Sequence, residues 1–244
     1  MIWILQREYA NSPEARALLK TAMLGADRVV RVGIDDLDEL PNVHPIDVPV
    51  GSVEFVRAYA DRVGVMLPAP LDYPDDLRPY LARTIRRAPL SKAPRGDFVK
   101  PVKTKRFSAI QNYDPAFPPD RVPSDTMCWV SDPIEFGAEY RFYVLHGEAL
   151  GWAQYDEGRE YGISQYDLTR VDSMILAWRA QPRAWALDVG RLAGGHLAVV
   201  EVNDAWATGL YAGALQVREY AEWLQTRWDE IQQFHMGETE QCTL

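Results

Sequence analysis

The sequence lacks the features that announce several large protein classes. Only two cysteines, Cys128 and Cys242, occur in 244 residues. That is too few for a disulfide framework, and a reducing cytoplasm is the expected home. No apolar run nears the roughly 18 residues that a membrane span requires. The opening Met1-Ile2-Trp3-Ile4-Leu5 meets Arg7 and Glu8 at once, without the basic start or small-residue cleavage site of a signal peptide. The four histidines, His44, His146, His196 and His235, are scattered with no metal-ligand spacing. There is no phosphate-binding glycine–lysine loop, no G-x-G-x-x-G after a strand and no Ser or Cys nucleophile signature. Internal repeats and low-complexity segments are absent too. A net charge of −9 argues against general nucleic-acid binding.

Apolar residues make up 47% of the chain, enough for one compact unit or two small lobes. Residues 1–90 read as a small α/β lobe. Ile2 to Leu5 is a strand, Ser12-Pro13 starts a helix that Gly25 ends, Arg28 to Val32 is a second strand, and Ser52 caps a second helix stopped at Gly64. A third helix is expected near Asp75 to Arg87, and a linker over Ala88 to Gly96. Residues 91–235 read differently, as strands with fewer helices. Phe98 to Val102 and Met127 to Val130 are strands, and Lys103 to Pro123 is a loop or lid. Glu139 to Leu145 alternates, with Glu139, Arg141 and Tyr143 on one face, and turns at Gly147 into Ala149 to Tyr155. Helices are expected over Asp167 to Arg179 and from Val217 to Ile231, with 236–244 as a flexible tail.

The most informative stretch is Ala186 to Asp204. Two apolar runs flank Gly194-Gly195, the mark of a β-hairpin. With those two glycines as the turn, Asp188 sits opposite Glu201, and Asn203 shares the face of Glu201. Like charges opposed across strands are destabilising, and Mg²⁺, which prefers oxygen ligands and is held by one or two carboxylates, would resolve them. The alternative is a solvated strand end at Asp188 and a turn at Asn203-Asp204.

Two further places carry cations. Lys100 lies inside the apolar strand FVKP, where an ammonium needs an anion such as a phosphate unless it faces water. From Arg83 to Arg106 there are nine Lys and Arg residues against one acid, Asp97. The segment suggests a local anion site, although Arg86, Arg87 and Arg95 read as a solvated basic surface. Arg141 meets either an anion or its neighbour Glu139.

In order, F-V-K-P, S-D-P, E-Y-R, D-V-G and E-V-N-D resemble the motifs of ATP-grasp enzymes over roughly Tyr80 to Gly213. The sequence is similar to a divergent clade of that superfamily, which includes the eukaryotic assembly chaperone of a translation initiation factor and bacterial and phage proteins known only as ATP-grasp domains. The resemblance implies an α+β ATP-grasp fold, two lobes with antiparallel sheets gripping ATP, preceded by a small α/β N-terminal lobe. It also implies a hinge near 129–134, where backbone groups of Trp129, Val130 and Ser131 meet adenine and Asp132 meets the ribose or merely makes a turn. Lys100, Lys105, Glu139 and Arg141 would contact the nucleotide, with Arg141 and Lys100 assisting catalysis. Asp188, Glu201 and Asn203 would hold Mg²⁺. Lys105 and Phe107 match a K-x-F-x-G pattern, except that Ala109 stands at the glycine position.

The implied reaction is ATP- and Mg²⁺-dependent ligation, in which a carboxylate is activated as an acyl phosphate for attack by an amine. The acid and the amine are left open, with a peptide or protein among the candidates. A kinase using the same site and an ATP-binding assembly factor without turnover are the other readings.

Overall fold

The computed structural model describes the chain except residues 26, 104–105, 157–161 and 242–244, and the side chains except, in addition, those of 234–241. The N-terminal alternation of strands and helices builds a parallel sheet. In it β1 (Ile2–Gln6) lies between β2 (Arg28–Val32) and β3 (Val48–Val50). Ser12 caps α1 (Pro13–Leu24) and Ser52 caps α2 (Val53–Val63), each hydroxyl accepting a backbone N–H at 3.2 Å. Each cap satisfies a donor that a helix start otherwise leaves orphaned. The short β3 was not legible in Val48-Pro49-Val50. It lies at the sheet edge, where a proline is tolerated.

The helix expected over 75–87 does not form. Pro79 interrupts a short 3₁₀ segment, Asp75–Tyr80, and Ala82 turns the chain at φ 54°. The chain then enters β4 (Ile85–Pro89), which joins a three-stranded antiparallel sheet in the order β4-β6-β5, with β5 at Phe98–Pro101 and β6 at Met127–Ser131. The expected linker therefore begins inside a strand. The loop after β5 is pinned in part: Val99 and Ile110 exchange backbone hydrogen bonds of 2.9 and 2.8 Å, and Tyr113 N donates to Asp97 O at 2.9 Å.

The third sheet has the order β10-β9-β7-β8, formed by β7 (Glu139–Leu145), β8 (Glu148–Gln154), β9 (Ala184–Arg191) and β10 (Leu197–Asp204). Ser164 and Asp167 form a capping box at the start of α3 (Gln165–Ala177). The helix covers a face made of Tyr140, Phe142, Val144, Trp185, Leu187 and Val189. On the other face, Tyr143, Leu145, Ala184 and Ala186 pack with the N-terminal sheet and with Tyr220, Trp223 and Trp228 of α4 (Val217–Gln241). This helix runs into the stretch read as a tail. Among the described residues, no helix is long and apolar enough to cross a membrane.

That second face changes character along its length. Its apolar end is covered by α4, and its polar end carries Glu139, Arg141 and Asp188. Whether Glu201 joins them depends on the β9–β10 hairpin, which departs from expectation twice. Its turn has three residues, not two: Leu192 N donates to His196 O at 3.0 Å, and Gly195, at φ 85°, donates to Leu192 O at 2.8 Å. The longer turn puts Leu197 opposite Arg191 and Val199 opposite Val189. A bulge at Val200 then moves the register back, so that Glu201 pairs with Asp188 as expected. Without the bulge, the alternation from Val199 would aim Glu201 at α3.

Candidate active site

Five of the expected residues meet on the polar end of the sheet. Arg141 grips Asp188 with two parallel hydrogen bonds, Nε to Oδ1 at 2.8 Å and Nη2 to Oδ2 at 2.7 Å. The Asn203 amide donates to Asp188 Oδ2 at 2.9 Å and to Glu201 Oε1 at 3.2 Å. Lys100 crosses from the neighbouring sheet and donates to Glu201 Oε2 at 2.6 Å. The opposed carboxylates are thus bridged by an amide and balanced by two cations. Arg141 pairs with Asp188, not with its strand neighbour Glu139. Burial pushes the Asp188 carboxyl up, only partly opposed by Arg141. Burial would push Glu201 up as well, but the Lys100 ammonium outweighs it and the carboxyl lies below its ordinary range. Burial pulls Lys100 and Arg141 down, and their carboxylate partners more than reverse this, so both stay charged.

Several partners in this network had no signal in the sequence. Asp72 accepts from Lys100 Nζ at 2.7 Å and from the Trp129 indole at 2.9 Å. Tyr155 donates to Glu139 Oε2 and stacks on Tyr211 with centroids 5.4 Å apart. The Arg141 guanidinium lies 5.6 and 5.2 Å from those two ring centroids. Arg83 donates to the carbonyls of Val199 and Val200 at 3.1 and 2.8 Å and so holds the bulge. Period-two and helical patterns report only neighbours in sequence, whereas these hydrogen bonds span from 16 to 117 positions. The basic segment does not gather into one anion site: Arg83 serves the bulge, Arg87 lies over Trp129 and Arg95 pairs with Asp114. Lys105 lies outside the described residues.

The hinge is placed differently from expectation. β6 is the central strand of its sheet, so Trp129, Val130 and Ser131 have neighbours on both edges. The Val130 side chain is in the core, and the Trp129 ring points at Asp72. Their backbone groups serve the sheet, and free backbone begins after Ser131. Asp132 is exposed, and Ser131 Oγ donates to its carbonyl at 2.9 Å. An open cavity of about 660 Å³ lies along Pro133–Phe136, bounded by Glu139, Gly96, Gln111 and Asn112. Phe136 packs where a β-carbon on Gly190 would sit, which explains the glycine of D-V-G. A second cavity, of about 250 Å³, lies between the N-terminal lobe and the segment after β10, lined by Glu14, Ser52, Trp206, Thr208 and Gly209 among others.

The donor set at the polar end suits a hard divalent cation. Two carboxylates and one amide converge within hydrogen-bonding distance, and all their oxygens are of the type Mg²⁺ selects. Coordination by Asn203 requires its amide to turn, so that Oδ1 and not Nδ2 faces the carboxylates. Among the described residues, no cluster of three or more His, Cys, Asp or Glu side chains suits a metal, so the amide is needed to complete the set.

Two antiparallel sheets that face a shared charged site, one contributing a lysine and the other carboxylates and an arginine, define the ATP-grasp class. A family model described as an ATP-grasp domain, the second family of its clade, matches residues 80–223, more than half of the sequence, and the chain belongs to that family. The fold is similar to that of D-alanine–D-alanine ligase from Bacillus anthracis, with a TM-score of 0.54 at 12% identity over 97% of this chain and 99% of that one. A structure of D-alanine–D-alanine ligase from Bacillus anthracis complexed with ATP gives a TM-score of 0.51 at 15% identity over 94% of each chain. These identities establish the fold alone. No curated protein matches the sequence.

Proposed function

We propose that this protein is an ATP- and Mg²⁺-dependent ligase, which activates a carboxylate as an acyl phosphate for attack by an amine and releases ADP and phosphate. The observation that carries the reading is the meeting of Lys100 and Arg141 with Asp188, Glu201 and Asn203 on one sheet face. Mg²⁺ bound there would supply charge neutralisation for phosphoryl transfer. Asp188, Glu201 and Asn203 are the residues to hold it. Lys100 and Arg141, which now balance the two carboxylates, become free to meet phosphate oxygens when those carboxylates hold a cation. The guanidinium can bind two oxygens at once, and the ammonium acts as a point charge.

The ring pair of Tyr155 and Tyr211 keeps Arg141 from swinging away, and preorganised charge of this kind favours the transition state over the ground state. The cavity along Pro133–Phe136 is the site for the base, next to the first free backbone after β6. The cavity beside Glu14 and Gly209 provides room for a carboxylate or amine substrate, a short peptide included.

The test is ADP release on screening acids and amines with Mg·ATP, beside a thermal shift with Mg·ADP. A ligand at 100 times its dissociation constant raises stability by about 2.7 kcal/mol. The expected result is a Mg²⁺-dependent rise in the wild type, lost in Glu201→Gln, with ADP released only when both substrates are present. A folded Glu201→Gln variant with normal turnover would sink the metal assignment. Tight nucleotide binding without ADP release under any substrate pair would favour an ATP-binding assembly factor, and a phosphorylated product without amide formation would favour a kinase.

A further inference from the structure

We propose that Asp72 is the fixed counter-ion of Lys100 and positions its ammonium for nucleotide phosphate. The inference rests on the nucleotide reading above. In the ligand-free arrangement Lys100 has two carboxylate partners that differ in one respect. Glu201 is a quarter exposed, on the open side of the site, and is a metal-ligand candidate. Asp72 is buried, with both oxygens committed: Oδ1 to Lys100 at 2.7 Å and Oδ2 to the Trp129 indole at 2.9 Å. Its backbone is tied down as well. The Asp72 carbonyl accepts from Val202 N at 2.9 Å, in a bridge beside Glu201, and the residue holds φ 45°. That left-handed conformation is one that aspartate tolerates better than most residues. The side chain is thus fixed at both ends.

A lysine has three ammonium donors on a flexible stem. If Glu201 turns to a cation, Lys100 loses one of its two anchors. Without Asp72, the stem would then have to be ordered by the nucleotide itself, which weakens binding. With Asp72 in place, one donor stays anchored and two remain for phosphate oxygens. The Tyr73 ring, 5.7 Å from Nζ, closes one side of the site. Asp72 does not touch the reacting atoms in this scheme, so it is a positioning residue.

Isothermal titration of Mg·ADP into the wild type, Lys100→Met, Asp72→Asn and the double variant tests this. Asparagine keeps the shape but must present an N–H₂ group to either the ammonium or the indole N–H, so one of the two hydrogen bonds fails. The expected result is about a tenfold weaker affinity for Asp72→Asn. The double variant should bind no more weakly than Lys100→Met alone, because Asp72 acts only through Lys100. A purely structural role would give additive losses, and additive losses overturn the proposal. So does an Asp72→Asn variant that binds as the wild type does while Lys100→Met is impaired. If the wild type binds no Mg·ADP, or Lys100→Met binds it unimpaired, the nucleotide reading itself falls and takes this proposal with it. A second measurement needs no Asp72 variant. The Trp129 indole N–H, identified by Trp129→Phe, should exchange with solvent as slowly in the presence of saturating Mg·ADP as in its absence. Exchange at least tenfold faster would mean that Asp72 lets go together with Glu201, contrary to the proposal.

Discussion

Two clusters of buried charge sit at opposite ends of β10 and its partners, and they are built from the same residue types to different effect. In the first, Arg227 of α4 grips Asp204 through Nε and Nη2 at 2.8 and 2.6 Å and reaches Glu230 at 2.7 Å, all deep in the core. Asp204 and Arg227 are each about 5% exposed. In the second, Arg141 grips Asp188 in the same two-point manner, but Glu201, Asn203 and Lys100 extend the network toward the open side of the sheet. The first cluster is closed, and its partners cannot be exchanged without unpacking α4. The second has cations and carboxylates that a metal and a phosphate could replace one for one. Charge in the core of a protein therefore does not by itself mark a site; the difference lies in whether exchange partners can enter.

The comparison breaks most visibly at Arg227. Arg227→Met leaves Asp204 and Glu230 buried without a cation and is expected to cost about 3–5 kcal/mol in denaturant unfolding. Mg·ADP affinity, measured at a temperature where the variant is folded, should stay within twofold of wild type. Equal losses of stability and affinity would mean that the two clusters act as one.

The open cluster should be disturbed from beneath by Gly190→Val. The added side chain enters the space of Phe136, and overpacking of this kind costs about 1–3 kcal/mol. Because Phe136 lines the larger cavity, nucleotide affinity should fall together with stability. Arg83→Met acts through register. It strips the bulge carbonyls of their guanidinium and is expected to cost about 1–2 kcal/mol. It should also reduce the Mg·ADP thermal shift, because Glu201 faces Asp188 only through the bulge.

The smallest effect is in pH dependence. Glu201 has its carboxyl held below the ordinary value of 4.5. Its stabilising contribution is therefore fully present above about 4.5 and is lost as pH falls through the lower folded value. Thermal unfolding of wild type and Glu201→Gln should differ above pH 5 and converge as the pH drops toward 3. A difference that grows on acidification would contradict the Lys100–Glu201 pair.

Much of the architecture was legible because it follows from local periodicity. The caps Ser12 and Ser52 stand where a polar residue precedes an apolar helical stripe. Arg28–Val32 and Glu139–Leu145 follow from β-branched content and strict alternation. The false helix over 75–87 came from the same method, where Leu77 and Leu81 suggested a stripe that Pro79 and the turn at Ala82 prevent from forming. The hairpin is more instructive. Asp188 and Glu201 were paired correctly from a turn that does not exist, since a longer turn and a bulge shift the register in opposite senses. The bulge leaves no mark on Val199-Val200, whose side chains suit any buried strand. The hinge reading of Trp129 to Ser131 failed in detail because it depended on β6 having a free edge, and edge or centre is a property of the whole sheet.

Most element types, the family resemblance and the residue types at the charged end of the sheet can be read from the chain alone, because they depend on spacing along one strand or helix. The partners cannot. Packing in three dimensions set Asp72 on Lys100, Arg141 on Asp188 instead of Glu139, and Arg83 on the bulge. Hydrogen bonds and ion pairs act over a few ångströms in space and are blind to separation along the chain, so the residues that complete the site could be found only once the sheets had brought them together.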